Sequence, residues 1–179
     1  VYTDGGILSE YAWLLVVLPF VAALVITFTG KYLPLKGAEV ALTTIGIIFL
    51  YSAALMYLHI TSGVVNEFFI NVGSIGVFDI EFGWVVDGLS IMMYFVVGTV
   101  ALLVFIYATN YMEGEIRYTF FFTSLTLFAG SMLVLVSSPT LIQILIGWEL
   151  VGVCSYLLIG HYWDCLLYTS PSPRDEKVS

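Results

Sequence analysis

The sequence predicts an all-α integral membrane protein with about five transmembrane helices and one short β-hairpin. Of its 179 residues, 60% are hydrophobic and 10% are charged, and the mean hydropathy is +1.03. Soluble domains carry about 25% charged residues. The hydrophobic residues also fall into runs of about 20, the length with which a helix crosses roughly 30 Å of hydrocarbon. An ordinary soluble domain is therefore excluded.

The charged residues give no sign of a nucleic-acid partner. The formal net charge is −8, and the five Lys and Arg residues are scattered along the chain. A nucleic-acid-binding surface needs clustered basic residues to meet phosphate. The acidic residues lie mainly between the apolar runs, so the negative charge is interpreted as loop composition.

Five apolar runs define the predicted spans, approximately 11–29, 38–60, 88–108, 118–136 and 139–162. Pro19 predicts a kink in the first, because neighbouring helices can satisfy the carbonyl that it frees. Asp87 is the candidate N-cap of the third span, and Ser138 that of the fifth, with Pro139 as its first helical residue. His59 ends the second span and is interpreted as an interfacial residue, with a proton relay as the alternative.

A β-hairpin is predicted around residues 67–83, between the second and third spans. Apolar and acidic residues alternate there as Phe78-Asp79-Ile80-Glu81-Phe82, the period of a half-buried strand. Gly73, Ser74 and Gly76 precede this segment as turn formers. The hairpin is expected on the membrane surface.

The basic residues predict the orientation, because Lys and Arg concentrate in cytoplasmic loops. Lys31 and Lys36 lie between the first two spans, and Arg117 lies in the next loop on the same side. All charged residues in the segments on the other side are acidic: Asp4, Glu10, Glu67, Asp79, Glu81 and Asp87. The N-terminus is therefore expected outside, and the end of the fifth span inside.

Glu149 is the candidate functional residue, since it is a lone carboxylate inside the fifth apolar run. An ionised acid at the centre of a membrane helix costs roughly 2.5–3.5 kcal/mol and usually faces protein or water. Helical spacing places Gly152, Tyr156 and Gly160 on its face. One hypothesis is a buried proton-relay or ion-coupling group, and the other is a helix-joining hydrogen bond. No Lys or Arg occurs in the five spans, so a basic partner must come from elsewhere.

Other polar residues of the spans are assigned structural roles. Gln143 and Ser155 are interpreted as interhelical hydrogen-bonding residues, and Cys154 as a small packing residue. Cys154 and Cys165 have no paired spacing or adjacent His cluster that would indicate a zinc site. The tryptophans near the span ends fit the interfacial aromatic belt: Trp13, Trp84 and Trp163. No nucleotide, flavin or iron–sulfur motif is present, so no cofactor is expected in this chain.

The segment Gly147-Trp148-Glu149-Leu150-Val151-Gly152-Val153-Cys154-Ser155-Tyr156-Leu157-Leu158-Ile159-Gly160 resembles the large antiporter-like membrane subunit of respiratory complex I, called subunit L or chain 5. Three further segments match in order and spacing: Asp87-Gly88-Leu89-Ser90, Tyr107-Ala108-Thr109-Asn110-Tyr111-Met112, and Arg117-Tyr118 followed by Phe120-Phe121-Phe122. The resemblance covers about residues 11–163. Phe105 is a departure, because many relatives have His there.

The resemblance implies a proton-translocating subunit of an NADH:quinone oxidoreductase in a bacterial inner membrane. Glu149 would be the family's proton-handling glutamate, which pairs with a lysine on a later helix. NADH, FMN, iron–sulfur clusters and quinone are expected in partner subunits, so this chain would couple rather than catalyse. The family also carries a hairpin on its outer face. The alternatives are the large subunit of a multi-subunit sodium/proton antiporter, a membrane subunit of a related hydrogenase or other quinone reductase, and a non-transporting scaffold.

The last residues differ in character from the rest. The segment Cys165-Leu166-Leu167-Tyr168-Thr169-Ser170-Pro171-Ser172-Pro173-Arg174-Asp175 resembles a translated transposase-adapter sequence, with a natural Ser/Pro-rich tail as the alternative. Residues 1–163 are therefore expected to be the N-terminal part of an antiporter-like transmembrane domain, and 164–179 a non-native or disordered tail. Such a truncated chain is expected not to translocate protons on its own.

Overall fold

The computed structural model describes residues 7–63, 65–75, 78–112, 114 and 117–160. In chain order these form α1 (Ile7–Glu10), α2 (Trp13–Thr29), a 3₁₀ turn (Gly30–Tyr32), α3 (Ala38–Ser62), β1 (Asn66–Ile75), β2 (Phe78–Val86), α4 (Gly88–Tyr111), α5 (Tyr118–Ser137) and α6 (Leu141–Ile159). The predicted all-α membrane fold with one hairpin is confirmed. The proposed tail, 164–179, lies outside the described residues.

Each of the five predicted apolar runs forms a helix. Within the described residues, α3, α4, α5 and α6 are long and apolar enough to cross a membrane. Helix α2 has 17 residues, a length of about 26 Å and close to the lower limit for a span. It continues through Pro19 without interruption, as predicted, whereas the kink stays a prediction.

The N-cap of α4 is the predicted residue, whereas the N-cap of α6 is not. Asp87 caps α4 as predicted, and its carboxylate accepts a hydrogen bond of 2.7 Å from the Ser90 N–H. The predicted cap of α6, Ser138, is wrong. Its hydroxyl donates to the carbonyl of Val134 at 2.6 Å and so belongs to the end of α5. Thr140 caps α6, accepting from the Gln143 N–H at 3.4 Å.

The helices form one bundle in which α5 is central. Helices α2 and α6 both pack against α5, and α3 packs against α4 and α2. A close approach of α5 to α2 occurs at Gly130, where a Cβ atom would lie 3.0 Å from Cβ of Pro19. Small residues at such contacts let membrane helices approach closely and gain van der Waals contact.

The hairpin pairs β1 with β2 in antiparallel register, with a shift between Asn71 and Gly73. It is longer than predicted, and its turn at residues 76 and 77 lies outside the described residues. Phe68 lies opposite Trp84, and their rings stack with centroids 4.5 Å apart. Because side chains two apart share a face, Ile70 and Phe82, which are also opposite each other, continue this aromatic and aliphatic surface.

The outer edge of β2 is held by side chains of two helices. Glu81, Gly83 and Val85 alternate along the strand, so their carbonyls point to the same edge. The Thr140 hydroxyl donates to the Glu81 carbonyl at 3.1 Å. The Gln143 amide donates to the Gly83 carbonyl and accepts from its N–H, both at 2.9 Å.

A third helix residue completes this edge. The Tyr94 hydroxyl of α4 donates to the Val85 carbonyl at 3.1 Å, and the Tyr94 side chain is fully buried. The hairpin is therefore fixed to the second turn of α4 and to the first turn of α6. We call this end of the bundle the hairpin end.

The opposite end of the bundle carries the basic residues. The Thr119 hydroxyl in the first turn of α5 donates to the Lys36 carbonyl at 3.0 Å, and Arg117 immediately precedes α5. Lys36 and Arg117 thus lie at the same end, as the alternation of the predicted spans requires.

We predict that Gln143→Leu lowers the free energy of unfolding by about 2 kcal/mol, because it leaves a buried N–H and a buried carbonyl of Gly83 without their partner. Reversible unfolding in mixed micelles measures this change. Thr61→Val is the control, because this exposed threonine bonds only carbonyls of its own helix. A Gln143→Leu variant as stable as the control would contradict the role given to this amide.

Candidate functional site

Glu149 occupies the middle of α6. It is the ninth residue of a helix of 19 residues, so about 12–15 Å of helix lies on each side of it. A helix of this length that crosses the membrane places Glu149 near the centre of the hydrocarbon. The adjacent turns are apolar, with Leu145 and Val153 on either side. The candidate site is thus a single carboxylate at mid-membrane depth.

The opposite face of α6 packs tightly against α5. A Cβ atom on Gly147 would lie 2.9 Å from Cα of Leu135, so only glycine permits this approach of the two helices. Two turns further, Cys154 is buried, and its Sγ lies 3.7 Å from Oγ of Ser131. The predicted packing role of Cys154 is confirmed. These contacts fix the rotation of α6 about its axis.

That rotation directs Glu149 away from α5. Successive residues turn by about 100°, so Glu149 lies about 200° around the helix from Gly147. It is exposed, and so are its neighbours Trp148, at 67%, and Tyr156, at 76%. The sequence predicts a buried carboxylate, whereas the described residues cover only the other face of α6. Among these residues, no hydrogen-bond or ion-pair partner reaches the Glu149 carboxylate.

The predicted row of small and hydroxyl residues lies on this exposed face. Nothing lies within 4 Å of a Cβ atom added to Gly152, and Gly152 is exposed. No hydrogen bond joins Tyr156 to Glu149 in the structure. The described residues therefore leave this face of α6 uncovered.

Two of the other polar residues differ from their predicted roles. Gln143 is buried, but it bonds the hairpin backbone rather than a neighbouring helix. Its position in the first turn of α6 places it at the level of β2, not at mid-membrane depth. Ser155 is half-buried, and within the described part of the chain it makes no hydrogen bond to another helix.

His59 and Phe105 lie away from Glu149. His59 is in the last turn of α3, where its imidazole lies beside Gly88 at the hairpin end. This position fits the predicted interfacial role. Phe105 is fully buried and meets Phe122 of α5 edge to face, with centroids 6.1 Å apart. In this chain, that position contributes apolar packing.

Two of the three tryptophans assigned to an interfacial belt lie within the described residues. Trp13 and Trp84 lie at the hairpin end with ring centroids 6.5 Å apart, where an interfacial belt is expected. Trp163 lies outside the described residues, as does Cys165.

The sequence holds a signal for the start of α6 at Leu141, but none for the bond between Gln143 and Gly83. Thr140-Leu141-Ile142-Gln143 has the Thr-x-x-Gln spacing of a capping box, which marks the true start of α6. In a usual box, the Gln side chain bonds the backbone of the cap residue. Here it bonds β2 instead, and that choice depends on the hairpin lying above the helix.

Most of this chain is similar in sequence to one group of known proteins. Residues 70–122 match the family described as NADH-ubiquinone oxidoreductase (complex I), chain 5 N-terminus. The NAD(P)H-quinone oxidoreductase chain 5 of Picosynechococcus sp. is 41% identical over 165 residues, which are 88% of this chain and 25% of that protein. The chloroplastic subunit 5 of Chlorokybus atmophyticus is 36% identical over 173 residues, 93% of this chain and 26% of that protein.

A solved structure has the same fold. A chain of the membrane-bound sulfane sulfur reductase, an archaeal respiratory membrane complex, superposes with a TM-score of 0.65 at 12% identity, over 81% of this chain and 29% of that chain. This chain spans about a quarter of the length of the curated relatives that it matches. The predicted similarity to complex I chain 5 is confirmed over the quarter of these relatives' length that the chain covers.

We predict that Gly147→Ala lowers the free energy of unfolding by about 1–3 kcal/mol, the usual effect of overpacking. The added methyl group meets the backbone of Leu135, so α6 must shift. Gly46→Ala is the matched control, because nothing lies within 4 Å of its added Cβ atom. Chemical unfolding of both variants in micelles tests the contact. Equal stability of the two would show that α6 does not approach α5 at this position.

Proposed function

Because the chain matches the N-terminal part of complex I chain 5, we propose that residues 1–163 are the N-terminal part of an antiporter-like, proton-translocating subunit of an NADH:quinone oxidoreductase. In this proposal, other subunits bind NADH, FMN, iron–sulfur clusters and quinone. The present chain contributes proton transfer across the bilayer, in contact with other membrane subunits.

The position of Glu149 in the middle of α6 is the observation that carries the proposal. An ionised carboxylate near the membrane centre costs roughly 2.5–3.5 kcal/mol on insertion scales, so it is expected to face protein, water or a counter-charge. In the structure it lies at mid-helix on the face of α6 that α5 does not cover. A carboxylate in that position can bind a proton when its face is desolvated and release it when a cation approaches. Those two states are what a proton relay requires.

The second half of the site must then come from beyond the described residues. Helix α5 occupies the opposite face of α6, and no Lys or Arg lies within the described helices α2 to α6. In the complete subunit, we expect a later helix to cover Glu149 and to bring a lysine to it. The exposed row of Glu149, Gly152 and Tyr156 is where that helix would pack, since Gly152 leaves room for a close approach.

The orientation of the bundle follows the distribution of charge. Lys36 and Arg117 share the end opposite the hairpin, and in membrane proteins such loops remain in the cytoplasm. The hairpin end, together with the N-terminus, would lie outside, and α6 would end inside. The proposed location is a bacterial inner membrane.

The antiporter and scaffold alternatives differ in whether they depend on the charge of Glu149. A sodium/proton antiporter subunit would also use this carboxylate, so gene neighbourhood separates it from the quinone oxidoreductase. The curated relatives reported above carry quinone oxidoreductase names, which favours the latter. A scaffold needs only the packing of α6 and would not depend on the charge of Glu149.

We predict that Glu149→Gln in the full-length subunit, within its assembled complex, reduces proton translocation to about a tenth or less. The amide keeps the size of the side chain but cannot exchange a proton, and a positioned proton-transfer group typically contributes roughly 100-fold or more. Proton uptake by proteoliposomes is measured together with quinone reduction and the amount of assembled complex.

Glu39→Gln provides the matched control. It makes the same chemical change in the first turn of α3, where the half-buried Glu39 side chain accepts from the Leu35 N–H at 3.3 Å. This variant should translocate protons normally. Normal translocation by Glu149→Gln at normal assembly would favour the scaffold instead.

A further inference from the structure

A cavity of about 390 Å³ opens at the hairpin end between the start of α2 and the hairpin. Three aromatic rings and two polar side chains line it: Trp13, Phe68, Trp84, Glu10 and Asn66. It is separate from Glu149, which lies on α6 at the centre of the membrane. Its chemistry is therefore independent of the proposed proton transfer.

The aromatic rings of this cavity favour a cation. Trp84 stacks on Phe68 with centroids 4.5 Å apart, and Trp13 is tilted by 44° to Trp84. Tryptophan faces attract an ammonium group that lies within about 6 Å of the ring centroid. The Glu10 carboxylate is exposed at the same rim and makes no ion pair with a described residue. Negative charge and electron-rich rings thus line one opening.

A second, apolar cavity adjoins the first and leads toward the membrane. It has a volume of about 470 Å³ and shares Trp13, Phe68 and Trp84 with the first cavity. Its remaining lining includes Val16 and Val17 of α2, one turn beyond Trp13, and Ile70 and Phe82 of the inner hairpin face. This arrangement continues the first cavity as an apolar groove along α2.

We propose that the two cavities bind one phospholipid with a primary ammonium headgroup, of the phosphatidylethanolamine class. The ammonium lies among Trp13, Trp84 and Glu10, and an acyl chain follows Val16 and Val17 between α2 and the hairpin. Trp13 and Trp84 lie at the end of the apolar helices, the level at which lipid headgroups meet tryptophan.

Charge complementarity selects this headgroup. The segments at the hairpin end carry acidic residues and no Lys or Arg within the described chain, so an anionic headgroup would meet Glu10 without a compensating cation. An ammonium group satisfies the carboxylate and the rings together. A sugar headgroup could stack on the same rings, but it would not respond to the charge of Glu10 in the same way.

Native mass spectrometry of the complete 179-residue chain tests the site. The chain is titrated with phosphatidylethanolamine, phosphatidylglycerol and monogalactosyldiacylglycerol that have identical acyl chains. Wild type should prefer phosphatidylethanolamine. Glu10→Gln and Trp13→Leu should each weaken its binding about fivefold, and Glu39→Gln, the same charge change at the other end, should leave it unchanged.

Three results would overturn the proposal. Equal binding of phosphatidylethanolamine and phosphatidylglycerol by wild type would exclude ammonium recognition. Galactolipid binding as tight as that of phosphatidylethanolamine would assign the rings to a sugar. Unchanged phosphatidylethanolamine binding in Glu10→Gln would exclude the charge contact. This last variant changes an exposed side chain, so it tests the site even if Trp13→Leu fails to fold.

Discussion

A backbone N–H or carbonyl that is buried in protein without a partner costs about 1–3 kcal/mol, and a strand edge presents a row of such groups. The outer edge of β2 meets this constraint through Thr140, Gln143 and Tyr94. Gln143 belongs to the first turn of α6, Thr140 to its cap and Tyr94 to the second turn of α4. The hairpin can therefore lie on the bundle only where these helix ends lie side by side.

Fixing that end of α6 has a consequence at the centre of the membrane. Gln143 anchors the first turn of α6 to β2, and Gly147 presses the next turn against Leu135. With two successive turns held, the rotation of the helix is determined. Glu149 must then point away from α5, and its face is left for protein outside the described residues. The hydrogen bonds of Gln143 to the β2 backbone thus help to set the direction of the Glu149 side chain.

Much of this arrangement could be predicted from the sequence. Apolar runs of span length gave the helices, and the alternation of Phe78 to Phe82 gave the hairpin, because both patterns are local. Asp87 was identifiable as a cap for the same reason. The partner of Gln143 was not, since it depends on β2, 60 residues away. Likewise, Glu149 could be singled out by its cost in lipid, but the direction of its side chain depends on the close approach of α6 to α5.

The most direct test of the account is a cryo-electron microscopy structure of the full-length subunit in its complex, at a resolution that shows side chains. We expect α6 to keep its contacts at Gly83 and Leu135, while another helix of the subunit covers Glu149 and places a lysine within hydrogen-bond distance of its carboxylate. A Glu149 carboxylate that faces lipid acyl chains, or one turned toward α5 with no cation nearby, would contradict it.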